Sequence, residues 1–245
     1  MAVADSLLAI LHLCDSLFPL GAFAYSDGLE AAVRERGQTP GSDPGGQTPS
    51  GSSDAAIDFL LGWLDVTLDE AIGRADGPAV WAAWRAVEDD DWPAIAALGR
   101  EVVALRPSLA ARKSSRALGL RLLTAWSALH PEPRLAHALG DVRAGRIAPA
   151  LPVAFAIACA STGIGRRQSV EAFAYTRLAA ATSAAMRLLP IGQTAAHGLL
   201  ARALQRVPAT VDAMARRDAR PESFTPMLDI AAMSQQYLHS RLFRS

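Results

Sequence analysis

Asp54–Ile72, DAAIDFLLGWLDVTLDEAI, is the stretch from which the fold is read. Its apolar residues Ile57, Leu60, Leu61, Leu64, Leu68 and Ile72 recur at the spacing that lines one face of a helix, and no run of strict alternation competes with it. The pattern predicts one long helix from Asp54, broken by Gly77-Pro78. Downstream the same periodicity repeats. Trp81, Trp84 and Val87 line a shorter helix, and Asp91 and Pro93 stand at cap and early-turn positions for the next, through Leu98, Val102 and Leu105. Further helices are expected near 108–129, 133–143, 149–162, 169–189, 193–206, 209–218 and 226–240, each separated by Pro or Gly. Upstream, residues 6–15 read as a short apolar helix ending before Pro19. Asp27 and Glu30 resemble a capping box for a second helix that Gly37 ends. The fold class is all-α, a single domain of about ten packed helices spanning 1–245.

Residues 37–53, GQTPGSDPGGQTPSGSS, carry a near-duplicated GQTP and almost nothing that could be buried. They read as a flexible insertion. Deleting residues 38–52 is expected to leave the melting temperature unchanged, because loop-closure entropy varies only logarithmically with length. A fall of many degrees in a thermal melt would show that the segment is packed.

Hydrophobic residues make up 51% of the 245 and aromatics only 6%, so the core is built from Ala, Leu and Val, which suits close-packed helices. Basic and acidic residues balance at 24 each, which gives no electrostatic case for nucleic acid. Lys113 is the only lysine among them. Cys14 and Cys159 are far apart, with neither disulfide nor zinc spacing, and point to a reducing, cytoplasmic compartment. The N-terminal MAVADSLLAILHLCDS lacks a basic region and does not read as a signal peptide. The uncharged run Ile147–Ile164 is long enough to cross a bilayer, but its prolines, Ser161, Thr162 and Gly163 favour a buried core helix.

The chemistry-bearing patterns are missing. Lys113-Ser114 has no preceding glycines and cannot form a phosphate loop. Gly163-Ile164-Gly165 follows a helix and reads as a helix stop. His12, His130, His137, His197 and His239 have no metal-ligand spacing, and Asp89-Asp90-Asp91 reads as an acidic turn capping the next helix. No catalytic residue, metal ligand or cofactor is expected. A helical hydrolase or transferase whose site depends on three-dimensional geometry stays open at this point, as does a membrane-associated helical protein.

Three segments carry a resemblance. Leu17–Glu30, LFPLGAFAYSDGLE, resembles the Pro-Ile-Gly-x-aromatic-x-x-Ser-x-Gly-Leu-Glu signature near the N-terminus of the urease accessory protein F (UreF) family. Ser183–Thr194, SAAMRLLPIGQT, is similar to that family's Arg-Leu-x-Pro-hydrophobic-Gly-Gln stretch. The terminal Ser240–Ser245, SRLFRS, resembles the family's C-terminal tail. The likeness spans roughly residues 7–245 without the insertion. Tyr25 stands where many members have His, and Gln235-Gln236 where a His-Glu pair is expected, a change read as loss of a helix-surface contact.

The resemblance implies an all-helical dimer without catalytic activity. It implies binding to a UreD-type protein (also called UreH) and to the GTPase UreG, and assembly of the nickel centre of apo-urease with GTP hydrolysis. Neither nucleic acid nor membrane is implied as a partner. On the residues themselves, Pro19 and Gly21 turn the chain sharply, Ser26 or Asp27 caps the second helix, and Gly28 belongs to the same corner. Pro190 and Gly192 separate two helices. Partner contact is expected of Phe23, Glu30, Arg187, Gln193, Arg241, Leu242, Phe243 and Arg244. Residues 241–245 form the docking tail, with Leu242 and Phe243 an exposed apolar pair between arginines.

Overall fold

A computed structural model describes residues 3–19, 25–37, 53–217 and 220–243. Most of the 37–53 insertion, together with Gly21, Phe23 and Arg244, lies outside the described residues. The chain is all-α, and no strand occurs among the described residues. Helices α1 (Val3–Cys14) and α2 (Leu29–Gly37) precede α3 (Ser53–Val66), which runs without a break through a π-helical segment (Thr67–Asp76) into α4 (Gly77–Glu88). Then come α5 (Trp92–Ala104), α6 (Leu109–Leu129), α7 (Pro133–Arg143), α8 (Leu151–Ser161), α9 (Arg166–Leu188), α10 (Gln193–Arg217) and α11 (Pro226–Ser234). A 3-10 turn, Gln235–Tyr237, leads into the tail.

The centre is α8, in which every residue from Pro152 to Ala160 is buried. A helix apolar all round can only sit in a core, and α4 and α6 pack on it while α9 pairs with α10 and α4. The Ile147–Ile164 run is therefore the middle of the bundle, and no helix among the described residues is long and apolar enough to cross a membrane. Phe155 meets Phe173 of α9 edge-on at 5.4 Å. Trp84 donates its indole N–H to the Ile164 carbonyl at 2.8 Å, which ties α4 to the turn after α8. That turn contains Gly163 in the left-handed region at φ 73, the expected helix stop.

Local signals placed α5, α6 and α7 well. The Asp91 carboxylate accepts from Ala94 N–H at 3.0 Å and the Ser108 hydroxyl accepts from Ala111 N–H at 3.2 Å, both N-caps in the usual sense. Two expected breaks did not occur. Gly77-Pro78 does not end a helix, because the preceding turns adopt the wider π register, with Gly77 N–H donating to Ile72 O. That register gives the pyrrolidine ring room and turns Asp76 inward. Pro208 lies inside α10, so 193–206 and 209–218 are one helix. The lost backbone bond is offset by an apolar face that continues across it, with Ala203, Val207, Val211 and Met214 all buried; the exposed ion pairs of Arg206 and Arg167 on its flanks add little.

Candidate functional site, a carboxylate clamp on the C-terminal tail

The three signature segments, remote in sequence, meet in one place. Chain direction there is set by Asp27 at φ 50 and Gly28 at φ 92, consecutive left-handed residues that swing the chain into α2. Gly28 also lets the corner approach α11, since a Cβ on it would lie 2.5 Å from the Ala232 nitrogen. The Ser26 hydroxyl and Gly28 N–H both donate to Gln235 Oε1, each at 3.0 Å. Gln235 is fully buried, so the helix-surface reading of Gln235-Gln236 above is corrected for Gln235, while Gln236 is exposed. The Gln235 amide replaces the expected His with a neutral acceptor that locks the corner to the turn before the tail.

The expected capping box does not form, because its members are taken by distant partners. Asp27 pairs with Arg177 of α9 at 2.7 Å. Ser26 serves Gln235. Glu30, fully buried, accepts the backbone N–H of Leu242 at 2.8 Å and of Phe243 at 3.2 Å. Arg34, one turn further along α2, neutralises Glu30 at 3.3 Å and reaches the Ser240 hydroxyl at 3.3 Å. Charge-assisted bonds of this kind in a dry setting are each worth roughly 1.5–3 kcal/mol.

Arg187, in the last turn of α9, lays its guanidinium over the Phe243 ring at 4.5 Å, a cation–π contact. The expectation that Leu242 and Phe243 are both exposed is corrected here. Leu242 is 60% exposed, but Phe243 is only 3% exposed and joins the core, because the Glu30 clamp fixes alternate side chains to opposite sides. Glu30 and Arg187 both hold the tail in this conformation, and Arg187 stays exposed while doing so. Gln193 starts α10 exposed, beside exposed Pro190 and Gly192, and Arg241 and Pro19 are exposed as well.

Sequence reasoning missed the outward face of α11 and its approach. Phe224, Met227, Ile230, Met233 and Tyr237 are all exposed large apolar residues, spaced at three or four from Met227 onward. The periodicity was visible, but only the structure shows that it faces solvent. Ala231 is the one residue of this helix that is buried. Beneath α11 lies a cavity of about 110 Å³ whose lining includes Asp27, Asp76, Arg106, Arg177 and Asp229. Arg106 meets Asp76 at 2.5 Å. Asp27 holds the Arg177 guanidinium more firmly protonated.

Burial pushes the Asp229 carboxyl above its ordinary value, against smaller opposing effects of the Thr225 hydrogen bond and Arg106. The folded state therefore binds that proton more tightly than the unfolded chain, and the penalty on the ionised form appears as pH rises through the raised value. Asp229→Asn should melt higher than wild type at neutral pH, with the difference vanishing in acid. A variant that melts lower at neutral pH would contradict this.

Reactive groups are not assembled elsewhere among the described residues. Burial pushes the Cys14 thiol up to about 12 and raises that of Cys159 as well, so neither supplies a thiolate near neutral pH. Burial, and then the neighbouring His12, lower His130. No group of three or more His, Cys, Asp or Glu side chains among the described residues is placed to hold a metal.

An all-helical domain whose most elaborate polar site secures its own tail, beside an exposed apolar helix face, defines a class of protein organised around surfaces. The profile of one family, UreF, matches residues 57–204. A protein of Methylibium petroleiphilum named urease accessory protein UreF is 34% identical over 99% of this chain and 95% of its own length. One of Arthrobacter with the same name is 30% identical over the full length of both. A Bordetella bronchiseptica protein named bifunctional urease accessory protein UreEF is 31% identical over 99% of this chain and 52% of its own length. The chain belongs to the UreF family.

Proposed function

We propose that this chain is a non-catalytic scaffold that acts in the cytoplasm with a UreD-type protein and a UreG-type GTPase, supporting GTP-dependent incorporation of nickel into apo-urease. The observation that carries the reading is similarity to urease accessory proteins along the whole chain, 34% identity over 99% of its length. The clamp adds a physical reason. Buried Glu30 holds the backbone of Leu242 and Phe243 so that Leu242 projects outward over α2, which packs against α11, a preorganised apolar surface for a partner protein. The reading includes a homodimer within the complex, to be checked by the mass of the purified assembly in light scattering.

The test is urease activation in cells expressing apo-urease with its other accessory proteins, with and without this chain. Full nickel loading in its absence would sink the reading. The purified chain alone is expected neither to hydrolyse GTP nor to bind nickel tightly, since its histidines lack ligand spacing and it has no phosphate loop. Nanomolar nickel affinity in a calorimetric titration would count against the scaffold role.

A further inference from the structure

Helix α6 has an unusual charge distribution. Arg112, Lys113, Arg116 and Arg121 fall in Leu109–Leu129 without a single Asp or Glu. Three of them crowd the first two turns, where the helix dipole favours the opposite sign, so local helix stability does not account for them. Among the described residues some exposed arginines elsewhere are partnered, Arg85 with Asp89, Arg146 with Asp141 and Arg206 with Asp69, while Arg100, Arg143 and Arg202 are exposed without an ion pair. Arg112 spends its guanidinium on the carbonyls of Arg106 and Pro107. Lys113 and Arg116 are exposed and have no carboxylate partner among the described residues.

We propose that the outward stripe Leu109, Lys113, Arg116 and Leu120 docks an acidic face of the same partner protein that covers α11. The four positions are spaced four, three and four apart, so they form one line along α6, roughly 16 Å long at 1.5 Å per residue. Both leucines are exposed, Leu109 at 56% and Leu120 at 40%, so the line is apolar at its ends and cationic between them. That pattern matches carboxylates flanked by small apolar pockets. A nucleic acid is met by dense positive charge, and the chain as a whole has a net charge of zero.

The stripe is continuous with the α11 face. The Ser108 hydroxyl, at the start of α6, donates to the Ala232 carbonyl at 3.3 Å, and Ala111 and Ser114 line a gap shared with Ala232 and Gln235. One partner seated on Met227 and Ile230 therefore extends onto the first turns of α6. This assignment rests on the functional reading above and takes the UreD-type protein as the partner that meets Leu242 and α11.

The experiment titrates the full-length chain against the purified UreD-type protein at low and high salt. Wild type should bind, and more weakly as salt rises, since exposed charge pairs are screened. Lys113→Glu with Arg116→Glu should weaken binding at low salt at least tenfold and flatten the salt dependence. Lys113→Gln with Arg116→Gln should fall between. Circular dichroism and melting should match wild type, because both side chains are exposed and neither has a partner among the described residues. Unchanged affinity and salt slope in the reversed variant would overturn this assignment alone. Absence of binding by wild type would overturn the functional reading and the assignment with it. Charge-dependent binding of wild type to anionic vesicles or duplex DNA, with partner binding untouched by the reversal, would also overturn it.

Discussion

Gly119→Ala is expected to lower the melting temperature by roughly 6–12 °C, equivalent to about 3 kcal/mol for a chain of this size. Gly119 sits in the middle of α6, where alanine would ordinarily gain about 1 kcal/mol of helix propensity. The site reverses that sign. A Cβ there would fall far inside contact distance of the Pro149 carbonyl oxygen, with the carbonyl carbon at 2.9 Å and the Ala154 methyl at 3.1 Å. The obstacle is backbone, so no rotamer change relieves it. Gly99 of α5 grips the same strand of chain, its missing Cβ 2.6 Å from the Ala148 carbonyl oxygen. The two glycines thus bracket the entry into α8, and displacing it would shift the most buried helix in the bundle. Gly140→Ala is the control. It is exposed in the interior of α7 with nothing within 4 Å of its absent Cβ, and should raise stability by about 0.5–1 kcal/mol. Equal melting temperatures for the two variants would show that α6 slides freely over Pro149.

The contrast between these glycines marks what a sequence carries. Where one local signal decides, as with the Asp91 and Ser108 caps or Pro133 opening α7, the boundaries were legible to within a residue or so. Where a distant group decides, they were not. Pro208 reads as a break until Val207 and Val211 are seen packed in the core on either side of it. Glu30 reads as a capping residue because Asp27 stands three positions before it, yet its acceptors are used up by residues more than 200 positions away. The resemblance marked all three segments of the site, but their convergence is a property of packing. That is why Phe243 reads as an exposed hot spot in sequence and is buried in the fold.

The tail then behaves differently from a frayed end carrying two sticky side chains. Phe243→Ala should weaken the complex with the UreD-type protein about 100-fold without removing any atom that faces the partner. Burial of the ring under Arg187 is worth roughly 1.5–3 kcal/mol, and the clamp on its own backbone N–H depends on the ring staying seated. Losing about 2.7 kcal/mol of tail order obliges the partner to supply it, which corresponds to about two decades in affinity. Glu30→Ala should do the same from the other side, since it removes the acceptor for both tail amides at once. Global melting should fall as well, by roughly 5–11 °C for the same 2.7 kcal/mol, with circular dichroism still showing a folded bundle. Leu242→Asp is the opposite variant: its side chain points away from the clamp, so the tail stays seated while the contact surface is spoiled. Hydrogen exchange at the Leu242 and Phe243 amides separates the two routes. Fast exchange is expected in Phe243→Ala and Glu30→Ala, and wild-type protection in Leu242→Asp, with all three losing the partner. Retained protection in Phe243→Ala together with an intact complex would show that the ring does not hold the tail.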